Sequence, residues 1–429
     1  MATTDDPSDA RPGLDLTRTP AGRRALFAAY YFVEGAPIGF LWWSLPAIYR
    51  ANGVGTERIG ELLAWLVLPW ALKWVWTPLI DVPRSPRFGL RGWIVTAQLG
   101  MALTLLPLLF GRGALESDLL LVCLALHGIC AATQDAAIDA LMIRTTPRRE
   151  RGALAAWMQA GMLVGRSLLG GGALLVLSRV GGRAVVLALL AVVVFGLGLA
   201  LLYRSPRVGR ESSEKGPRTE FVRALRSALT RRTTWYGLAF AAVAGAGFEA
   251  VGGFASTLLT DRAGGDVEFA GSFFLVPAGV ATVLGGFVGG RLADSLGPRR
   301  GTSIAGGVLA AALLAYSASA AWGDPTTPWP VVPWLVLVYV SIGWFTASSY
   351  ALFVHWTDVR LGATQFSAYM GATNLCESWS VWFAGGILIP RLGYGGAFAL
   401  LTLVGLLALS AVLLAPEPKP DDAHLAPEP

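Results

Sequence analysis

Charge is what this 429-residue chain has least of. Asp, Glu, Lys and Arg make up 14% of it, where a soluble globular domain averages about 25%. So sparse a charge set excludes a disordered chain, which stays soluble through charge and polarity. Cysteine is scarcer still, at three residues. Cys123, Cys130 and Cys376 all stand inside apolar runs, which excludes a disulfide scaffold and makes them small buried hydrophobes. His127, His355 and His424 are scattered. No HExxH, CxxC or Walker motif occurs, so neither a metal nor a cofactor is expected. The net charge of +6 comes without a basic stripe interleaved with aromatics, so no nucleic-acid partner is expected. The polar opening, with Asp5, Asp6 and Asp9, lacks the basic start and apolar core of a secretory signal.

What is present is length of apolar sequence. Residues of the AVILMFWYC set form 54% of the chain. They fall in blocks of about 20 residues, the length that crosses a hydrocarbon core of about 30 Å. The blocks are 24–48, 59–80, 93–110, 118–143, 152–178, 184–203, 234–260, 269–290, 302–322, 332–356, 364–389 and 393–415. The expected fold class is an all-α integral membrane protein of about twelve transmembrane helices in two six-helix bundles. Its parts are a tail (1–22), a first bundle (23–203), a basic linker (204–232), a second bundle (233–415) and a Pro- and acid-rich disordered tail (416–429). With both termini inside, 25 of the 34 Lys and Arg fall on the cytoplasmic side. That bias predicts cytoplasmic termini and linker. The lipid bilayer is thus the first partner, and the chain is read as a monomer.

The halves echo one another. Phe32-Val33-Glu34-Gly35 in the first span matches Phe248-Glu249-Ala250 in the seventh, so each half places a glutamate mid-helix. Between spans 8 and 9 stands Gly290-Arg-Leu-Ala-Asp294-Ser-Leu-Gly297-Pro-Arg299-Arg300. This resembles the loop signature of the major facilitator superfamily (MFS). Its glycines permit a sharp turn, Asp294 can cap or pair at a helix end, and Arg299 and Arg300 hold the loop at the headgroups.

An ionisable side chain at the bilayer centre costs at least about 2.5–3.5 kcal/mol, so each must face protein, water or cargo. The spans hold Glu34, Lys73, Asp135, Asp139, Arg166, Glu249 and Glu377. Spans 3, 6, 9 and 12 hold none, and in the MFS fold those four are the outer helices. Glu34, Arg166, Glu249 and Glu377 lie near mid-span, where substrate and coupling sites sit. They are the candidates for cargo or proton contact, with Glu34 first and Arg166 as its partner or the contact for an anionic cargo; a static salt bridge is the alternative. Asp135 and Asp139, one turn apart on one face, read as a gate near Arg144. Lys73 either pairs with that helix or snorkels outward.

Of sixteen tryptophans, Trp42, Trp43, Trp76, Trp93, Trp235 and Trp329 are assigned to the interfacial belt. Trp70, Trp74, Trp157, Trp344, Trp379 and Trp382 are deeper, either a lining for a ring-bearing cargo or packing. Pro37, Pro46, Pro69, Pro78 and Pro277 mark bends or inert kinks.

A closer resemblance follows. Leu68-Pro69-Trp70-Ala-Leu-Lys73-Trp-Val-Trp76-Thr-Pro78-Leu79-Ile-Asp81 with Arg91-Gly92-Trp93, Gln134-Asp135-Ala-Ala-Ile-Asp139-Ala140, and Ala363-Thr364-Gln365-Phe366 resemble the AmpG-like permeases and acetyl-CoA transporters. That branch includes importers of anhydro-muropeptides and siderophores. The resemblance implies proton-driven uptake across a bacterial inner membrane and carries over Lys73, Asp81, Gln134, Asp135 and Asp139. Two departures favour the shorter siderophore-type relatives: AmpG permeases commonly have fourteen helices, and they lack an acid at Glu34. The expected function is therefore a secondary transporter working by alternating access, importing a medium-sized amphiphilic small molecule with protons. Efflux, or a transporter-shaped sensor, is the alternative. An enzyme is not expected, since His127 and Asp135 are the only pair available for acid–base chemistry.

Overall fold

A computed structural model describes residues 16–76, 80, 89–110, 118–147, 150–202, 226, 229–357 and 362–416. Asp81, both tail ends and most of the 204–232 linker lie outside them. The described residues are helical throughout, with no strand among them. The first half holds α1 (Pro20–Gly39), α2 (Leu45–Ala51), α3 (Thr56–Leu72), α4 (Leu90–Phe110), α5 (Asp118–Thr145), α6 (Arg151–Val180) and α7 (Gly182–Leu202). The second holds α8 (Arg232–Val243), α9 (Ala246–Arg262), α10 (Val267–Leu275), α11 (Pro277–Leu296), α12 (Pro298–Trp322), α13 (Val332–Trp356), α14 (Gly362–Phe383) and α15 (Ile389–Leu414). Two π-helical turns, Phe40–Ser44 and Ala384–Leu388, join α1 to α2 and α14 to α15.

Among the described residues nine helices are long and apolar enough to cross a membrane, the last being Gln365–Leu414. That 50-residue stretch is not one rod, because Gly393 breaks it with φ 67° and ψ 176°. The outward surface suits lipid. Leu103, Phe110, Phe287 and Leu407 are exposed, and their helices satisfy their own backbone groups, as a bilayer demands.

Lipid removes the usual hydrophobic drive for helix association, so close packing of small residues must supply it. α1 lies against α6 in this way. A Cβ at Gly165 would come within 2.3 Å of the Phe32 carbonyl, and one at Gly161 within 2.1 Å of Ala28 O. The same contact recurs between α11 and α13, where a Cβ at Gly343 would meet Thr282 O at 2.0 Å. The two halves also touch through small residues: Gly171 of α6 against Gly271 of α10, and Gly60 of α3 against Gly385 of the second π-turn. Ser378 of α14 adds a hydrogen bond to Ala64 O of α3 at 2.9 Å.

Candidate site between the two halves

The site begins with a proline. Pro37 lies inside α1, where it removes one backbone donor and crowds the preceding turn. The π-turn that follows takes one residue more per turn than an α-helix, a device common at functional sites. Its effect is to bury the adjacent Trp42 and Trp43, 7% and 6% exposed, with different partners. Trp42 Nε1 donates to Glu377 of α14, across the seam. Trp43 stacks on Phe274 at 4.9 Å and 28°, and the Arg166 guanidinium sits 5.9 Å from its ring centroid. This corrects their assignment to the interfacial belt. A π-turn inside the continuous first helix, not a span end, places them.

Arg166 of α6 lies within electrostatic range of Glu249, Glu377 and Glu34, yet forms no ion pair among the described residues. The expected Glu34–Arg166 pair is therefore not made. Glu249 stands in the first turn of α9, which begins afresh after a break at Ala244 and Gly245, so its carboxylate meets the positive end of a helix. Glu249 and Glu377 also interact with each other. Arg166, Glu249 and Glu377 are only half-buried although they lie near the middle of their apolar spans. A charge at that depth faces protein or water rather than lipid, so these three are read as lining a cavity between the halves. Around it Arg166 Nε, Trp70 Nε1 and Glu34 Oε2 are buried without a hydrogen-bond partner. Buried polar atoms are nearly always satisfied, and exceptions point to water or a ligand. Trp42 and Trp70 meet edge to face at 6.1 Å.

A second charged set lies wholly in the first half. Lys73, in the 3-10 turn after α3, forms an ion pair with Asp135 of α5. Tyr31 of α1 donates to Asp139 Oδ1 at 2.6 Å. Glu34, three residues on, interacts with Lys73, Asp135 and Asp139. Lys73 thus pairs inward rather than snorkelling. The adjacent Gln134 is buried with both amide atoms unpartnered. Arg144 is exposed and is not hydrogen-bonded to either aspartate, while Arg23 of α1 pairs with Glu150.

The signature positions separate by role. Gly290 and Asp294 belong to α11, which runs on to Leu296, so the expected loop is the last turns of a helix; the side chain of Asp294 is not described. Gly297 alone makes the turn, at φ 78°. Arg299 donates to the Leu413 carbonyl at the end of α15, where a cation meets the negative end of a helix. Arg300 is exposed.

Of the six tryptophans read as a lining or as packing, Trp70 joins the cavity residues and Trp382 is half exposed. Trp157 lies nine residues before Arg166 on one continuous helix, which at 100° per residue is its opposite face. Trp379 donates to Ala242 O at 2.9 Å and ties α14 to α8. Trp74 is half exposed beside Gly371, and Trp344 packs on Gly289. Sequence reasoning put Trp42 and Trp43 at the interface and passed over Tyr31. Pro37 shortly before the tryptophan pair is the signal that would have found the first two.

Comparison with known proteins agrees with this fold. The family model of the Major Facilitator Superfamily matches residues 27–383. The anhydromuropeptide permease of Escherichia coli (strain K12) is 27% identical over 153 residues, which span 35% of this chain and 31% of that one. A putative transporter, AmpG 3, of Rickettsia typhi is 26% identical over 148 residues, 33% of this chain and 35% of its own. The matched stretch thus spans about a third of these relatives' length. A crystal structure of a D-xylose-proton symporter superposes with a TM-score of 0.76, covering 93% of this chain and 98% of its own at 12% identity, a likeness of fold alone. The relatives it matches are named as permeases or transporters, and the chain belongs to the Major Facilitator Superfamily.

Proposed function

We propose that this protein imports a medium-sized amphiphilic solute together with protons across a bacterial inner membrane. Twelve spans would form two bundles, 23–203 and 233–415, with the linker and both termini in the cytoplasm. The nine apolar helices become twelve when α3 and α5 are added and the Gln365–Leu414 stretch is divided at Gly393. A single chain supplies both halves, so a monomer suffices. The observation that carries the reading is the trio Arg166, Glu249 and Glu377, half-buried at mid-depth with its members drawn from both halves. Rocking one half against the other would expose the trio to each side in turn. The Lys73–Asp135 and Tyr31–Asp139 contacts, with Glu34, would hold and pass the proton.

The relatives' names suggest a muropeptide-like cargo, and the sequence resemblance adds siderophores and acyl-CoA. The charges rank them. Five carboxylates (Glu34, Asp135, Asp139, Glu249, Glu377) face two cations (Lys73, Arg166), so a polyanion such as acetyl-CoA fits worst and a zwitterion or monoanion taken up with protons fits best. The same imbalance favours proton-driven efflux of a cation as the second reading.

Uptake into proteoliposomes tests the proposal. A siderophore, an anhydro-muropeptide and acetyl-CoA are offered under an inward proton gradient to wild type, Glu34→Gln and Glu377→Gln. Accumulation of one of the first two, abolished by a protonophore, is expected. Glu34→Gln should still exchange cargo but not concentrate it, and Glu377→Gln should raise the half-saturation concentration. Movement of no cargo in either direction would sink the import reading, and uptake unchanged in Glu34→Gln would return that residue to a structural role.

A further inference from the structure

At the end of the molecule where α2, α6 and α9 finish, the two halves are joined by charge as well as by glycine. Arg50, in the last turn of α2, places Nε 2.6 Å from Asp261 Oδ1. Tyr394, just past the Gly393 break, donates to Asp261 Oδ2 at 2.9 Å. One carboxylate thereby receives both halves: Arg50 from the first, Tyr394 from the second. A weaker contact lies beside it, where Glu268 at the start of α10 accepts from Ser178 at 2.6 Å and lies 3.6 Å from Arg179 Nε.

The positions of these groups along their helices set the two contacts apart. Glu268 lies in the first turn of its helix and Arg179 in the last turn of its own, so each is already favoured by the helix dipole. Asp261 is the reverse case. It stands in the last turn of α9, at the negative end of the dipole, where a carboxylate is disfavoured. Arg50 removes that penalty only while the halves are together. Separation leaves Asp261 without its cation at the wrong end of a helix.

We propose that Asp261 is a latch: with Arg50 and Tyr394 it holds this end of the cavity shut, and its release lets that end open. The latch rests on the transporter reading for its use, not for its geometry, and no cargo is needed to test it. The full chain, with Cys123, Cys130 and Cys376 changed to Ser, is placed in lipid nanodiscs. Nitroxides are attached through Arg183→Cys and Trp322→Cys, both exposed at this end on opposite halves. Double electron–electron resonance then reads the distance between the halves. Wild type should show one dominant short distance. Asp261→Asn should raise the long-distance fraction at least threefold, and Arg50→Gln should do the same. The swap Arg50→Asp with Asp261→Arg should restore the short distance, which also shows that the single variants fold. A distribution unchanged in Asp261→Asn would overturn the latch and leave the glycine contacts to hold this end. A wild type already mostly long would overturn it too, as would a shift that the swap does not reverse. Failure of the uptake experiment would leave these distances readable.

Discussion

At the scale of single residues, the cavity's chemistry comes from charges that lipid would not tolerate alone. Lys73 and Asp135 are 16% and 8% exposed in their side chains, so neither keeps much water. Removing one partner of so buried a pair costs about 3–5 kcal/mol, because the other is stranded. Lys73→Ala does more than strand Asp135, since Asp139 and Glu34 then face it with no nearby cation in the set. We therefore expect Lys73→Ala to lower thermal stability in detergent sharply, and Lys73→Met with Asp135→Leu to recover most of it, a non-additivity that a double-mutant cycle measures. A loss in the double variant equal to the sum of the two single losses would mean the pair is not coupled. These charges were legible in the sequence because an apolar background makes each one conspicuous. Their partners were not. Glu34 was matched with Arg166 because both are mid-span, yet it faces Lys73 and the aspartates, and only the rotation of α1 about its axis decides that. Trp42 and Trp43 were misplaced for a related reason: a π-turn shifts the helical phase, and composition does not record phase.

At the scale of helices, glycine has two separate uses, and one signature contains a case that has neither. Gly165 lets α6 touch α1 backbone to backbone. Gly165→Leu should abolish the folded monomer peak in gel filtration, whereas Gly198→Leu on α7, where a Cβ meets nothing within 4 Å, should leave it intact. Within the loop signature, Gly297 turns the chain at φ 78° and ψ 155°, a region essentially reserved for glycine and costing other residues of order 1–3 kcal/mol. Gly290 lies inside a helix with nothing within 4 Å of its missing Cβ. Gly297→Ala should accordingly lower the melting temperature, while Gly290→Ala should hold or raise it, since alanine is the better helix former by up to about 1 kcal/mol. A melting temperature lowered equally by both would show that Gly290 serves packing absent from the present conformation. Sequence spacing identified the signature but assigned all of it to a loop, because a short polar run between apolar blocks reads as a connection whether or not its backbone is helical.

At the scale of the whole molecule, the helices that fall short of the apolar test are instructive. α3 and α5 are not among the nine, and they carry Lys73's neighbouring turn and the aspartates. Both nevertheless belong to apolar blocks of crossing length, 59–80 and 118–143, and their charges pair with other helices instead of facing lipid. The twelve-span proposal needs both of them to cross. The third shortfall is a matter of continuity, since the π-turn at Ala384–Leu388 keeps the backbone helical until Gly393 reverses it. The parity of the count has a direct consequence. Twelve crossings put both termini on one side, whereas an odd number such as nine would put them on opposite sides. Alkaline phosphatase, active only outside the cytoplasm, can be fused after successive turns. We expect activity for fusions after Gly181, Gly264 and Gly323, and none after Thr146, Gly297 or Ala415. An active fusion after Thr146 would mean that α3 or α5 does not cross. Active fusions after both Gly323 and Ala415 would keep α13, α14 and α15 from making three crossings. The Thr146 result would place the Asp261 end and the Gly297 turn on sides other than those proposed, and with them the direction from which cargo first reaches Arg166.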